Sequence, residues 1–77
     1  MSSKQECVEI HIEEDMNVAK CAALVAKLEH QRGISKALFD DENYHRLTIH
    51  YDSDHFSLQT LMNLIHLHGY HGKVLNA

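Results

Sequence analysis

Histidine is the residue type in this chain that points most directly to chemistry. Eight of the 77 residues are histidine, and they are spread along the sequence rather than gathered in one run. Neutral imidazole is the commonest metal ligand in proteins, and its charge changes near physiological pH. The composition therefore predicts metal binding or pH sensing. Polar residues on the wet face of a sheet are the alternative explanation for the same histidines.

Three of the histidines are predicted to share one face of a sheet. His11 and His50 alternate with apolar residues of two predicted strands, and His71 follows Tyr70 at the start of another. Adjacent strands lie about 4.8 Å apart, a spacing at which imidazoles can bind one ion through Zn–N bonds of about 2.0–2.1 Å. We therefore predict that His11, His50 and His71 bind a transition-metal ion, with Zn, Cu, Ni and Co as candidates.

The elements that position these histidines alternate between strand and helix. Period-two alternation of apolar residues predicts four strands, over residues 7–13, 34–40, 44–51 and 70–75. Helical spacing predicts one helix over 18–32 after the N-cap Asn17, and a second between the N-cap Ser57 and Gly69. This βαββαβ order predicts a single domain over 1–77 with an α+β ferredoxin-like sandwich. In that fold a four-stranded antiparallel sheet, in the order 4-1-3-2, carries both helices on one face.

Composition excludes several classes of function. The chain is 44% hydrophobic and 23% charged, as is usual for a globular domain, and its seven Lys and Arg are scattered through a chain of net charge −4. We therefore expect no nucleic-acid binding. No apolar run is long enough for membrane insertion, and no apolar segment follows Met1, so we expect a cytoplasmic protein. The two cysteines fit reduced thiols, and the absence of catalytic motifs predicts that the chain is not an enzyme.

Three segments of the chain resemble a known family. They are Gly33-Ile34 after the first helix, Thr48 to Asp52 at the end of the third strand, and Leu61 to Ile65 leading into Gly69-Tyr70. With them, residues 7–75 resemble the heavy-metal-associated (HMA) domain, the ferredoxin-like module of copper chaperones and of metal-transporting ATPase N-termini. The resemblance implies the fold described above and a metallochaperone-like, metal-binding protein.

The functional motif of the resembled family is missing. The HMA domain carries Met-x-Cys-x-x-Cys between its first strand and first helix, where two thiolates bind a soft ion. This chain has Asp15-Met16-Asn17-Val18-Ala19-Lys20-Cys21 there, without the Cys-x-x-Cys pair. Any metal role is therefore expected to rest on imidazole. Contributions from Met16, Cys21 and His68 stay open: Cys21 also fits the apolar face of its helix, and His68 also fits a helix cap.

The predicted function is a small metal-binding protein that carries, buffers or senses a transition-metal ion through histidine. The alternative is a metal-independent regulatory or protein-interaction module of the same fold. Such a module would bind a protein partner, or a second copy of itself, through the open face of the sheet.

Overall fold

The computed structural model describes residues 5–76, and it confirms the predicted order of elements. The strands and helices are β1 (Gln5–Ile12), α1 (Val18–Glu29), β2 (Ile34–Asp40), β3 (Asn43–Asp52), α2 (Leu58–Leu67) and β4 (Gly72–Asn76). The four strands form one antiparallel sheet in the order β2-β3-β1-β4. The α+β ferredoxin-like fold is thereby confirmed.

The core lies between the sheet and the two helices. From Val8 to Ile12 in β1 and from Leu47 to Tyr51 in β3 every second residue is buried, as the period-two pattern predicts, and the residues between them lie on the open face of the sheet. The largest fully buried side chains come from both layers: Val8, Ile10, Ile12, Leu24, Leu28, Leu47, Ile49, Leu61 and Ile65. All nine belong to a single hydrophobic cluster.

Both helices begin at the predicted caps. Oδ1 of Asn17 accepts a hydrogen bond from the Lys20 N–H at 2.8 Å, and Oγ of Ser57 accepts one from the Thr60 N–H at 3.1 Å. These bonds satisfy backbone donors that a helix start leaves unpaired. Helix α2 is followed by Gly69, as predicted, with a φ of +91°.

Helix α1 is shorter than predicted, because it ends at Glu29 rather than Arg32. After Glu29 the Gln31 N–H donates to the carbonyl of Leu28, and the Ile34 N–H donates to the carbonyl of Gln31. These two hydrogen bonds, each between residues three apart, form the turns that lead the chain into β2. Glu29 also reaches the outer edge of the sheet, where its Oε2 accepts a hydrogen bond from the Ala37 N–H at 3.0 Å.

Strand β4 starts at Gly72 rather than at Tyr70. The Tyr70 N–H still donates to the carbonyl of Ile65 at the end of α2, and the His71 N–H donates to a side-chain oxygen of Glu14. His71 therefore lies in the connection between α2 and β4. Its position is set by that connection rather than by the alternation of a strand.

Candidate metal-binding site

The sheet register keeps His50 away from His11. His50 pairs with Cys7 of β1 and with Lys36 of β2, whereas His11 pairs with Arg46 of β3. At about 3.3 Å per residue, His50 lies roughly 13 Å along the sheet from His11. The reason is that β1 and β3 are antiparallel, so that the last residues of the two strands lie at opposite ends of the sheet. The expected convergence of His50 with His11 does not occur, and metal binding by either residue stays a prediction.

His71 is held by Glu14 in the loop between β1 and α1. The two carboxylate oxygens of Glu14 are 2.5 Å from Nδ1 of His71 and 2.8 Å from its backbone nitrogen. The hydrogen bonds from the His71 backbone and side chain lower the pKa of Glu14. The hydrogen bond and attraction to Glu14 raise the pKa of His71. Because an ionised carboxylate only accepts hydrogen bonds, Nδ1 of His71 carries a proton.

This pairing leaves the second nitrogen of His71 available. When the imidazole is neutral and Nδ1 carries the proton, Nε2 has a free lone pair. Histidines that bind metals usually donate their other ring N–H to a carboxylate or a backbone carbonyl, which fixes the tautomer and the ring orientation. Glu14 and His71 therefore have the chemistry of a metal ligand with its orienting partner.

His66 of α2 lies beside His71. The ring centroids are 5.1 Å apart, and the ring planes meet at 71°. The two rings border a shallow cavity of about 290 Å³. Its lining combines imidazole, carboxylate, amide and thioether groups: Glu13, Met62, Asn63, His66, Tyr70, His71, Gly72 and Lys73. We call His66 and His71 the β4-side pair.

A second pair of histidines lies on the other side of β1. Nδ1 of His45, near the start of β3, is 2.7 Å from the backbone carbonyl oxygen of Ile12. The ring of His11 stacks against His45, with centroids 5.4 Å apart and an interplanar angle of 22°. We call His11 and His45 the β3-side pair. Neither His45 nor His66 is among the histidines that the sequence predicts to bind a metal.

Neither pair contains a third ligand in position. Among residues 5–76, no three side chains of His, Cys, Asp or Glu are arranged to hold a metal ion. Each pair therefore offers two nitrogen donors. Any further ligands would be water, a side chain that changes rotamer, or a group from another molecule.

The other predicted contributors make contacts of a different kind. Cys21 is buried with Sγ 3.8 Å from the Tyr44 carbonyl oxygen, and burial raises its pKa, which disfavours a thiolate. Met16 packs against the core. The cap provided by His68 is its backbone N–H, which donates to the carbonyls of Leu64 and Ile65, while its Nε2 is buried without a hydrogen-bond partner.

Comparison with known proteins supports the fold. No family model matches the chain, and no curated protein matches it. Among solved structures, oxidized MerP from Ralstonia metallidurans CH34 matches with a TM-score of 0.81 at 18% sequence identity. The match covers 95% of this chain and 100% of that chain. At this identity the likeness establishes a shared fold. Within residues 5–76, no helix has the length and apolar character needed to cross a membrane.

Proposed function

We propose that this chain is a small metal-binding protein that carries, buffers or senses a transition-metal ion through imidazole. The observation that carries the proposal is the β4-side pair, in which Glu14 orients His71 and His66 lies alongside. Glu14 belongs to the segment between β1 and α1, where the HMA domain carries its metal ligands. The proposal keeps the function implied by that resemblance and replaces thiolates with histidines.

Two imidazoles that share an ion need a particular separation of their ring centres, and the β4-side pair meets that one requirement. With Zn–N bonds of about 2.0–2.1 Å, an ion lies roughly 3.2 Å from each ring centre, so rings at a tetrahedral angle have centres about 5.2 Å apart. The observed separation of His66 and His71 is 5.1 Å. Imidazole with water or carboxylate favours borderline divalent ions, and affinity is expected to rise from Co(II) through Ni(II) to Cu(II), with Zn(II) below Cu(II).

Calorimetric titration with Zn(II) at pH 8 tests this site. Truncation of either ring, in His66→Ala or His71→Ala, should weaken binding by at least about tenfold, because one of two nitrogen donors is lost. Glu14→Ala should weaken binding by about 10–100-fold through loss of the orienting partner. The matched control is His30→Ala, which removes an exposed imidazole at the far end of α1. Equal affinity in the wild type, His66→Ala and His71→Ala would refute the proposed site.

A metal-independent interaction module is the second candidate. Exposed apolar side chains near both edges of the sheet favour it, since Leu38 of β2 is 40% exposed and Leu75 of β4 is 54% exposed. A mass that rises with protein concentration without metal, and a melting temperature unchanged by metal or chelator, would support this function over metal binding. Either function is that of a binding protein rather than an enzyme. We propose a cytoplasmic location, which the free thiols of Cys7 and Cys21 support.

A further inference from the structure

We infer that the outer edge of β2 docks an extended segment of a partner protein in which apolar and basic residues alternate. Strand β2 is an edge strand of the sheet, so its outer side is open to pairing. Two cavities flank the end of this edge, one on each face of the sheet. A strand added to an edge gains hydrogen bonds from its backbone and specificity from cavities that take alternate side chains. The inference does not depend on metal, and it names the surface and the partner of the second candidate function.

The cavity on the helix side of β2 is apolar. It has a volume of about 350 Å³ and lies between α1 and the end of β2. Val18, in the first turn of α1, is 65% exposed at one border of this cavity, and Tyr44 of β3 is 38% exposed at another. Only one carboxylate, that of Asp41, belongs to the lining. Apolar side chains of a partner would therefore gain free energy by covering this surface.

The cavity on the open face of the sheet is acidic. It has a volume of about 410 Å³, and four carboxylates line it together with one cation, the guanidinium of Arg46. The lining thus carries a net charge of −3. Arg46 already forms an ion pair with Glu9 at 2.7 Å. The carboxylates left to attract a basic side chain are those of the turn between β2 and β3: Asp40, Asp41 and Glu42.

The two cavities meet along a short stretch of β2. Leu38 pairs with Thr48 on the open face, whereas Phe39 pairs with Leu47 on the core face. Leu38 and Phe39 each contribute to the lining of both cavities. Successive side chains of a strand point to opposite faces. A strand laid along this stretch would therefore send its apolar residues into the helix-side cavity and its basic residues into the acidic one.

The backbone of β2 is open to pairing at this end of the strand. The Ala37 N–H points outward, because it donates to Oε2 of Glu29 at 3.0 Å. Alternate residues of a strand direct their backbone groups to the same side, so the N–H and carbonyl of Phe39 also point outward. Glu29 covers the Ala37 donor. An added strand would therefore pair from Phe39 toward the turn, where the two cavities lie.

Fluorescence anisotropy with short labelled peptides, in the presence of a chelator, tests the inference. The probe is a six-residue peptide in which lysine and valine alternate. It should bind with a dissociation constant below about 1 mM. A peptide with three lysines followed by three valines has the same composition but cannot fill both cavities as a strand, and it should bind about tenfold more weakly. A peptide that alternates glutamate and valine should not bind, because the open-face cavity would repel it.

Matched variants locate the surface. Ala22→Gln places a larger polar side chain in the helix-side cavity and should weaken binding by about tenfold. Its control is Ala23→Gln, which changes the next exposed alanine of α1 outside that cavity. Asp41→Asn should weaken binding by about twofold to fivefold, as loss of an exposed charge pair does. Asp54→Asn, at the opposite end of β3, is its control. Circular dichroism would verify that all four variants fold.

Amide spectra should show peptide-dependent shifts at Leu38 to Asp41 and none in β4. Equal affinity for the alternating and the block peptide, or equal affinity in Ala22→Gln and Ala23→Gln, would overturn the inference. A chain that associates with itself through β2, with a mass that the peptide does not lower, would also overturn it and assign the edge to a second copy. His66→Ala should bind the peptide as the wild type does. Failure of peptide binding would therefore leave the proposed metal site untouched.

Discussion

Alanine substitution of Gly33 tests the turn that leads from α1 into β2. Gly33 has a φ of +101°, and a Cβ built there would lie 2.8 Å from Cδ2 of His55 and 2.8 Å from Cε2 of Phe56. Gly69, after α2, has a similar φ of +91°, but its Cβ would meet no atom within 4 Å. Gly33→Ala and Gly69→Ala therefore share a backbone penalty and differ in steric contact.

The expected losses of stability follow from these two contributions. A left-handed backbone costs a residue with a Cβ about 1–2 kcal/mol, which is the loss expected for Gly69→Ala. Phe56 packs against the core, so its ring cannot simply move into solvent. The crowding at Gly33 should add about 1–3 kcal/mol, as overpacking usually does. At roughly 0.05–0.15 kcal/mol per residue, the whole chain has a stability of only about 4–12 kcal/mol, so Gly33→Ala is a severe change.

Urea unfolding followed by far-ultraviolet circular dichroism measures both losses. Gly33→Ala should lower the free energy of unfolding more than Gly69→Ala does. The difference between the two losses should become smaller in a Phe56→Ala background, where the Phe56 ring is absent. Equal losses for Gly33→Ala and Gly69→Ala, or a difference that the double variant His55→Ala, Phe56→Ala leaves unchanged, would refute the steric argument.

Three further predictions concern the His71–Glu14 pair, the core and metal linkage. The raised pKa of His71 means that the pair stabilises the fold fully below the ordinary histidine pKa of about 6.5 and less as pH rises through the folded value. The lowered pKa of Glu14 means that its contribution is present above its ordinary pKa of about 4.3 and is lost as pH falls through the folded value. The difference in melting temperature between the wild type and Glu14→Gln should therefore be largest between about pH 4.3 and about pH 6.5. A difference that does not depend on pH would contradict the pairing. Leu61→Ala, at a fully buried position, should cost about 2–5 kcal/mol in urea unfolding. Leu67→Ala, at a side chain that is 78% exposed, should stay within about 0.5 kcal/mol, and similar losses for the two would contradict the assigned core. Free Zn(II) at 100 times its dissociation constant should stabilise the fold by about 2.7 kcal/mol per site, and a chelator should reverse this; an unchanged melting curve would argue against metal binding.

The sequence predicts which face of the sheet a residue occupies better than it predicts which residue of the neighbouring strand lies opposite it. Alternation shows that His11 and Ile10 lie on opposite faces of β1, and the structure agrees. It does not show which residue of β3 lies opposite His11, because that depends on the pairing register. The predicted convergence of His50 failed for this reason. The antiparallel direction of β1 and β3 was itself predictable, and it would have placed the start of β3, with His45, beside the end of β1.

The orienting partners of the histidines were harder to predict. Glu14 and His71 are 57 residues apart in sequence, so no local pattern connects them. The contact depends on where β4 begins, and the apolar pattern placed that start at Tyr70 rather than Gly72. Helix caps such as Asn17 are local to one turn of chain, and the sequence therefore predicts them well.

The hydrogen bond between Glu29 and Ala37 has a consequence for the behaviour of this protein at high concentration. Strand β2 is at the edge of the sheet, and an outward N–H on such a strand can template pairing with another chain and start aggregation. The Glu29 carboxylate occupies that donor and places negative charge beside it. Glu29 thus covers one backbone donor of the edge strand, and Glu29→Ala would leave that N–H open to pairing with another chain.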